Sequence, residues 1–241
     1  MAKIGSAAVI SLPEIKLVST TLFIMGASSL VVHRFAEKAR KQMLDKQMKE
    51  ARGGRDARTP LKEVDDARYR VDEMWDGFPA VAFKAAAVTA CTSLADVTKT
   101  AARQAFAIKG IQIEEAGTLD GAICRNALVP IVAPPHTIRE DVVRLAGPSR
   151  TAELRFRPEY SPWAAALDVT LNQSVLSVDQ LATLFEVAGM AVGVGEYRTE
   201  RDGDLGGFKV IDEATFNAHR DWCIEQHTKA RGKKPALKAA A

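Results

Sequence analysis

The residues with most chemistry to offer lie at 193–207, GVGEYRTERDGDLGG, with five glycines, two arginines and one tyrosine. Glycine reaches backbone conformations closed to other residues and lets a partner come close to the main chain. Gly193, Gly195, Gly203 and Gly206 are where that would matter. Arg198 and Arg201 carry planar forks suited to phosphate oxygens, and Tyr197 offers a flat ring. The expected chemistry is capture of a nucleic-acid backbone. A long turn with solvated charges accounts for the loop equally well, because glycine clusters are common in turns.

Single strands need a basic groove and a few stacking side chains. Arg34, Lys84, Arg155 and Arg157 are the further cations singled out for phosphate, and Phe208 joins Tyr197 as a stacking candidate. Aromatic residues make up only 6% of the chain. Phosphate contacts would therefore dominate, giving strong salt dependence and little sequence preference. Taken one at a time, each arginine reads better as a surface ion pair. His33, followed by Arg34, could serve as a general base toward an RNA 2′-hydroxyl, with Lys84 or an arginine stabilising developing charge. A histidine after a strand more often bonds a nearby carbonyl. His136, His219 and His227 are scattered without metal-ligand spacing, so no metal site is expected. The glycine loop lacks the third glycine of a dinucleotide fingerprint, and no Walker A or G-x-S-x-G motif occurs. No cofactor is expected.

Charge is uneven. Net charge is +3, yet residues 34–70 carry 12 Lys/Arg against 7 Asp/Glu, and residues 229–238 carry five basic residues and no acidic one. The rest of the chain is net acidic. Two basic segments suit a polyanionic partner; a solvated helix and a floppy tail would show the same bias. Cys91, Cys124 and Cys223 are odd in number and far apart, which favours reduced cytosol over a disulfide framework. Residues 17–32 are uncharged but too short for a membrane span.

The elements that would position these residues follow from periodicity. Residues 15–25 read as a core strand, with a turn at 26–29. Residues 35–50 place Phe35, Ala39, Met43, Leu44 and Met48 on one helical face. A short helix is expected at 61–69 and a buried one from Pro79 to about Leu94, with proline in its first turn. A helix at 96–106 leads into a strand at 107–113. Ala152, Leu154 and Phe156 alternate with Glu153, Arg155 and Arg157, as in a half-exposed strand with its charges outward. Ser177 and Gln180 have capping-box spacing for a helix ending near Gly189. A last strand is expected at 208–211, then a helix at 212–228. The predicted order is β-α-β-β-α-β, an α+β ferredoxin-like or RRM-like core. It spans a single domain at 13–212, with a basic helical insertion at 34–76 and a β-hairpin insertion at 137–160. A terminal helix at 213–228 and a disordered basic tail at 229–241 complete the chain.

Three segments together resemble the RAMP superfamily, the glycine-loop proteins that form the guide-RNA-binding backbone of CRISPR effector complexes. They are GASSL at 26–30, GFPAVAFKAAAV at 77–88 and the glycine loop itself. HRF at 33–35, GFPA with the following FK, and GVGE with the following arginine also resemble uncharacterised tailed-phage proteins, and this likeness is closer. The chain departs from the superfamily in having AVAF between Pro79 and Lys84 and Ala85 where a glycine is usual. The resemblance implies a phage-encoded protein of the bacterial cytoplasm that coats single-stranded RNA or DNA as a homo-oligomer. In it, residues 34–70 would form a finger-like element and 137–160 a thumb-like one. A virion structural or assembly protein and a metal-independent ribonuclease using His33 are the alternatives.

Overall fold

A computed structural model describes residues 14–35, 37–49, 58–94, 97–144 and 151–232. The expectations for 1–12, for most of the loop at 51–60 and for the tail beyond 232 lie outside the described residues. The elements in chain order are β1 (Leu17–Gly26), β2 (Leu30–Val31), α1 (Glu37–Gln47), α2 (Pro60–Asp66), β3 (Asp76–Pro79), α3 (Ala80–Ala90) and α4 (Lys99–Ala105). β4 (Phe106–Lys109), β5 (Ile111–Ala116), β6 (Ile123–Ile131), β7 (Thr137–Arg144), β8 (Ala152–Tyr160) and β9 (Ala164–Asn172) follow. α5 (Val178–Ala191), β10 (Phe208–Ile211) and α6 (Glu213–Gly232) close the described chain. The fold is α+β.

The central sheet has the order β10-β1-β9-β4, every pair antiparallel. Alternation along β1 sends Leu22 and Ile24 toward α3 and α5, and Phe23 and Met25 to the opposite face. The helix-side core centres on Phe83, Phe106, Leu167, Leu171, Leu184 and Phe185, all buried. Each such side chain contributes about 1.5–3 kcal/mol relative to exposure. α3 is six alanines in eleven residues, a composition of the highest helix propensity. The capping box at Ser177 and Gln180 forms, with Ser177 Oγ accepting from the Gln180 N–H at 3.1 Å.

α5 ends at Ala191, close to the expected Gly189, and that glycine has a further part: it lets the helix pack on β10, where a Cβ would stand 1.8 Å from the Phe208 carbonyl oxygen. Several sequence expectations need correction. The strand expected at 107–113 is two strands split at Gly110, and β5 leaves the central sheet to pair with β6, whose other edge pairs with β3. The polarity foreseen for β8 is reversed: Arg157 is 3% exposed and Leu154 44%. The α1 stripe does not enter the core, since Phe35, Met43 and Met48 are exposed. Residues 229–232 belong to α6, not to a tail.

α6 covers part of the sheet face away from α3 and α5. Phe216 and Cys223 pack there against Phe23, Met25 and Ile211, with the Phe23 and Phe216 rings 5.0 Å apart. His219 and His227 are not scattered, for they flank Cys223 at four-residue steps. Their Nε2 atoms meet the carbonyls of Val132 at 3.0 Å and Ala133 at 2.9 Å. These contacts dock α6 against the end of β6.

Candidate functional site

The segment between α5 and β10 folds back on itself. The Val194 N–H donates to Gly206 O at 2.9 Å, the Leu205 N–H to Tyr197 O at 3.0 Å and the Gly206 N–H to Ser29 O at 2.8 Å. Gly206 has φ +68°, and a Cβ there would lie 1.7 Å from Val194 O. At Gly203 a Cβ would lie 1.8 Å from Tyr197 O. These two glycines thus serve the loop's own folding. The turn after β1 is fastened to the same loop, with the Ala27 N–H donating to Gly207 O at 2.8 Å and the Gly207 N–H to Ser28 Oγ at 3.0 Å.

Between this loop and α3 runs a cleft of about 380 Å³. Ala82, Ala85, Ala86 and Thr89 form the α3 wall; residues 192–196, Arg198 and Glu200 form the other; His33, Tyr69, Phe78 and Pro79 complete the lining. Of the residues singled out from sequence, His33, Gly193, Gly195 and Arg198 meet here. The others lie elsewhere. Lys84 Nζ donates to Arg103 O at 2.9 Å and sits 5.6 Å from the Phe106 ring centre. Arg34 pairs with Glu115, and Arg155 lies 3.8 Å from Glu153. Arg201 is exposed, at the end of a short turn of helix. Phe208 is buried in the core. Tyr197, at φ +53°, has the guanidinium carbons of Arg139 and Arg157 at 5.7 and 5.8 Å from its ring centre.

The cleft charges are paired with one another. Glu196 bridges two groups: His33 Nδ1 at 3.1 Å on one oxygen, and the buried Arg157 on the other. Burial alone would raise the Glu196 pKa, but the His33 hydrogen bond and the Arg157 charge outweigh it and hold the carboxyl below its usual range. Arg198 Nε donates to Glu200 Oε2 at 3.0 Å. Neither Glu196 nor Glu200 was singled out from sequence. The only available hint was the close alternation of acid and base at 196–201. Among the described residues no group of three or more His, Cys, Asp or Glu could hold a metal ion.

The sheet face away from α3 and α5 offers a second, polar hollow of about 240 Å³ at Ser19, Thr21, Lys109 and Asp168. Its aromatic residue, Phe23, lies against Phe216. No helix among the described residues is long and apolar enough to cross a membrane. No protein-family model matches the chain, and no curated protein sequence matches it.

Proposed function

We propose that the chain binds single-stranded nucleic acid in the cleft between α3 and the glycine loop, and coats the strand as a homo-oligomer. The core is read as a ferredoxin-like unit of RAMP type, formed by β1, α3, β4, β9, α5 and β10. The antiparallel order β10-β1-β9-β4 supports that reading. The observation that carries the functional proposal is convergence. The turn at 26–30, the start of α3 and the loop at 193–207 are distant in sequence, yet they build one cleft and its immediate support. These are the three segments on which the RAMP resemblance rests. The alanine wall of α3 lets a sugar-phosphate backbone approach closely. The α3 and glycine-loop cleft is preferred over the outer sheet face because that face presents no uncovered stacking ring among the described residues.

Internal pairing does not remove Arg198 from use. An exposed ion pair contributes about 0–1 kcal/mol, so a phosphate can take the place of Glu200. Arg157 is different, because its guanidinium is buried and committed to Glu196. Few phosphates are then neutralised per copy, and each should contribute about −0.7 to the slope of log K against log salt. The test is fluorescence anisotropy with labelled single-stranded RNA and DNA across a salt series, using the full chain and a chain ending at Gly232. Salt-sensitive binding that survives removal of residues 233–241 and is lost in Arg198→Glu supports the cleft. No binding at low salt overturns the proposal.

One observation favours a second reading, a structural assembly protein. Phe35, Met43 and Met48 on or beside α1, and Ile138, Val142 and Leu154 on the β7–β8 hairpin, are exposed apolar side chains. In that case Met43→Asp or Val142→Asp should dissolve the oligomer seen by light scattering. Arg198→Glu with Arg201→Glu should leave it intact.

A further inference from the structure

We propose that Arg34 and Arg40 form a phosphate site beside the cleft, with Glu115 as the carboxylate that an incoming phosphate displaces. The inference rests on the nucleic-acid reading above and adds a second contact on the same strand.

Arg34 follows β2, Arg40 stands in the first half of α1, and Glu115 lies on β5. Arg34 Nη2 donates to Glu115 Oε2, while Arg40 Nη2 lies 3.8 Å from that same oxygen. The longer distance is an ion pair but not a hydrogen bond. Arg40 Nε is buried and has no hydrogen-bond partner among the described residues. Buried N–H groups normally find an acceptor, and one without it carries a desolvation penalty. Two guanidinium groups thus share one carboxylate. Among the described residues the cluster is short of one negative charge and one acceptor, and a phosphate brings both. Guanidinium forks suit phosphate oxygens in geometry as well as in charge.

The cluster is within reach of solvent: the side chains of Arg34, Arg40 and Glu115 are 23%, 21% and 26% exposed. It also adjoins the cleft. Tyr69 lines the cleft, and its hydroxyl feels the charges of both Arg34 and Glu115. His33, the neighbour of Arg34 in the chain, lines it too. A strand seated between α3 and the glycine loop, leaving past Tyr69, would place its next phosphates against these arginines.

The test compares the parent chain with Arg40→Gln, Arg40→Lys and Glu115→Gln, and with Arg198→Glu as the cleft reference. Anisotropy of a labelled single-stranded 12-mer is followed over a salt series. Circular dichroism and urea midpoints establish that each variant folds. Arg40→Gln should weaken binding and lower the salt slope by about 0.7, one phosphate contact. Arg40→Lys should keep the slope but lose affinity with the fork. Glu115→Gln removes the competing carboxylate and should tighten binding roughly two- to five-fold. That sign is opposite to the one expected if Glu115 merely anchors α1. Should Arg40→Gln fail to fold, Glu115→Gln alone decides. If Glu115→Gln does not tighten binding, or Arg40→Gln keeps the parent slope, the phosphate site is overturned. If salt-sensitive parent binding is still abolished by Arg198→Glu, the cleft reading stands without it. If the parent does not bind at low salt, both fall together.

Discussion

Arg157 is a charged side chain made structural behind the wall of a candidate binding site. Its guanidinium is buried, pairs with Glu196 and donates to the Tyr197 hydroxyl at 3.5 Å. Glu196→Ala strips a buried cation of its carboxylate. It should cost about 3 kcal/mol in urea unfolding, the low end for a broken buried pair because Glu196 is itself partly exposed. The pH dependence has a definite sign. A carboxyl whose folded pKa is depressed contributes stability above its unfolded value, about 4.3. That contribution is lost as pH falls through the lower, folded value. The parent should therefore lose stability below about pH 4.3 more steeply than Glu196→Ala, measured as urea midpoints from pH 7 down to pH 3. Gly206→Ala tests the loop itself. It meets both a positive φ and the Val194 carbonyl, whereas Gly121→Ala meets a positive φ with nothing within 4 Å. Gly121→Ala should cost about 1 kcal/mol and Gly206→Ala clearly more. Residue types were legible in the sequence, but their partners were not. Period-2 alternation locates the two faces of β8 without saying which one is covered, so Arg157 was read as exposed.

At the scale of elements, α1 and α5 are opposites. α5 buries Leu181, Leu184, Phe185, Ala188 and Gly189, while no residue of α1 is buried among those described. A free helix of eleven residues is marginal in water. Amide exchange should therefore be much faster in α1 than in α3 or α5, and binding of nucleic acid at Arg40 should slow it. Ser177→Ala should cost about 1 kcal/mol of thermal or urea stability through loss of the cap. Local signals were the readable ones. The α5 cap needs only residues three apart, and β10 is a short β-branched and apolar run. β3 was missed, and β5 was read only as far as Ile113 and as one strand with β4, because Asp76, Gly77 and Pro79, and Glu114 and Glu115, are poor strand formers. What makes them strands is pairing with β6, and β preference depends on such neighbours.

For the whole molecule, one buried network ties the insertion to the core. Asp76 accepts from Arg68 Nε at 2.8 Å and Nη2 at 3.1 Å, and from the Tyr160 hydroxyl at 2.7 Å. Burial, with the Asp76 carboxylate beside it, pushes the Tyr160 phenol far above its usual range. Asp76→Ala should cost about 3–5 kcal/mol, read as a shift in the urea midpoint, and should loosen α2, β3 and β8 together. The order of strands and helices was legible enough to give an α+β fold. The docking of α6 on the sheet was not, because two buried side chains, Phe216 and Cys223, and two histidine-to-carbonyl bonds leave little periodicity to read.

The central sheet has one more consequence, for synthesis of the chain. β1 leaves the ribosome first among its strands, yet its partners are β9 at 164–172 and β10 at 208–211. Both edges of β1 stay unpaired in the native sense until most of the polypeptide has been made. Nascent chains of this protein must therefore carry an apolar strand with open edges for most of their elongation. A premature stop before residue 164 would release a chain with both edges of β1 open, and one between 172 and 208 a chain with only the β10 edge open.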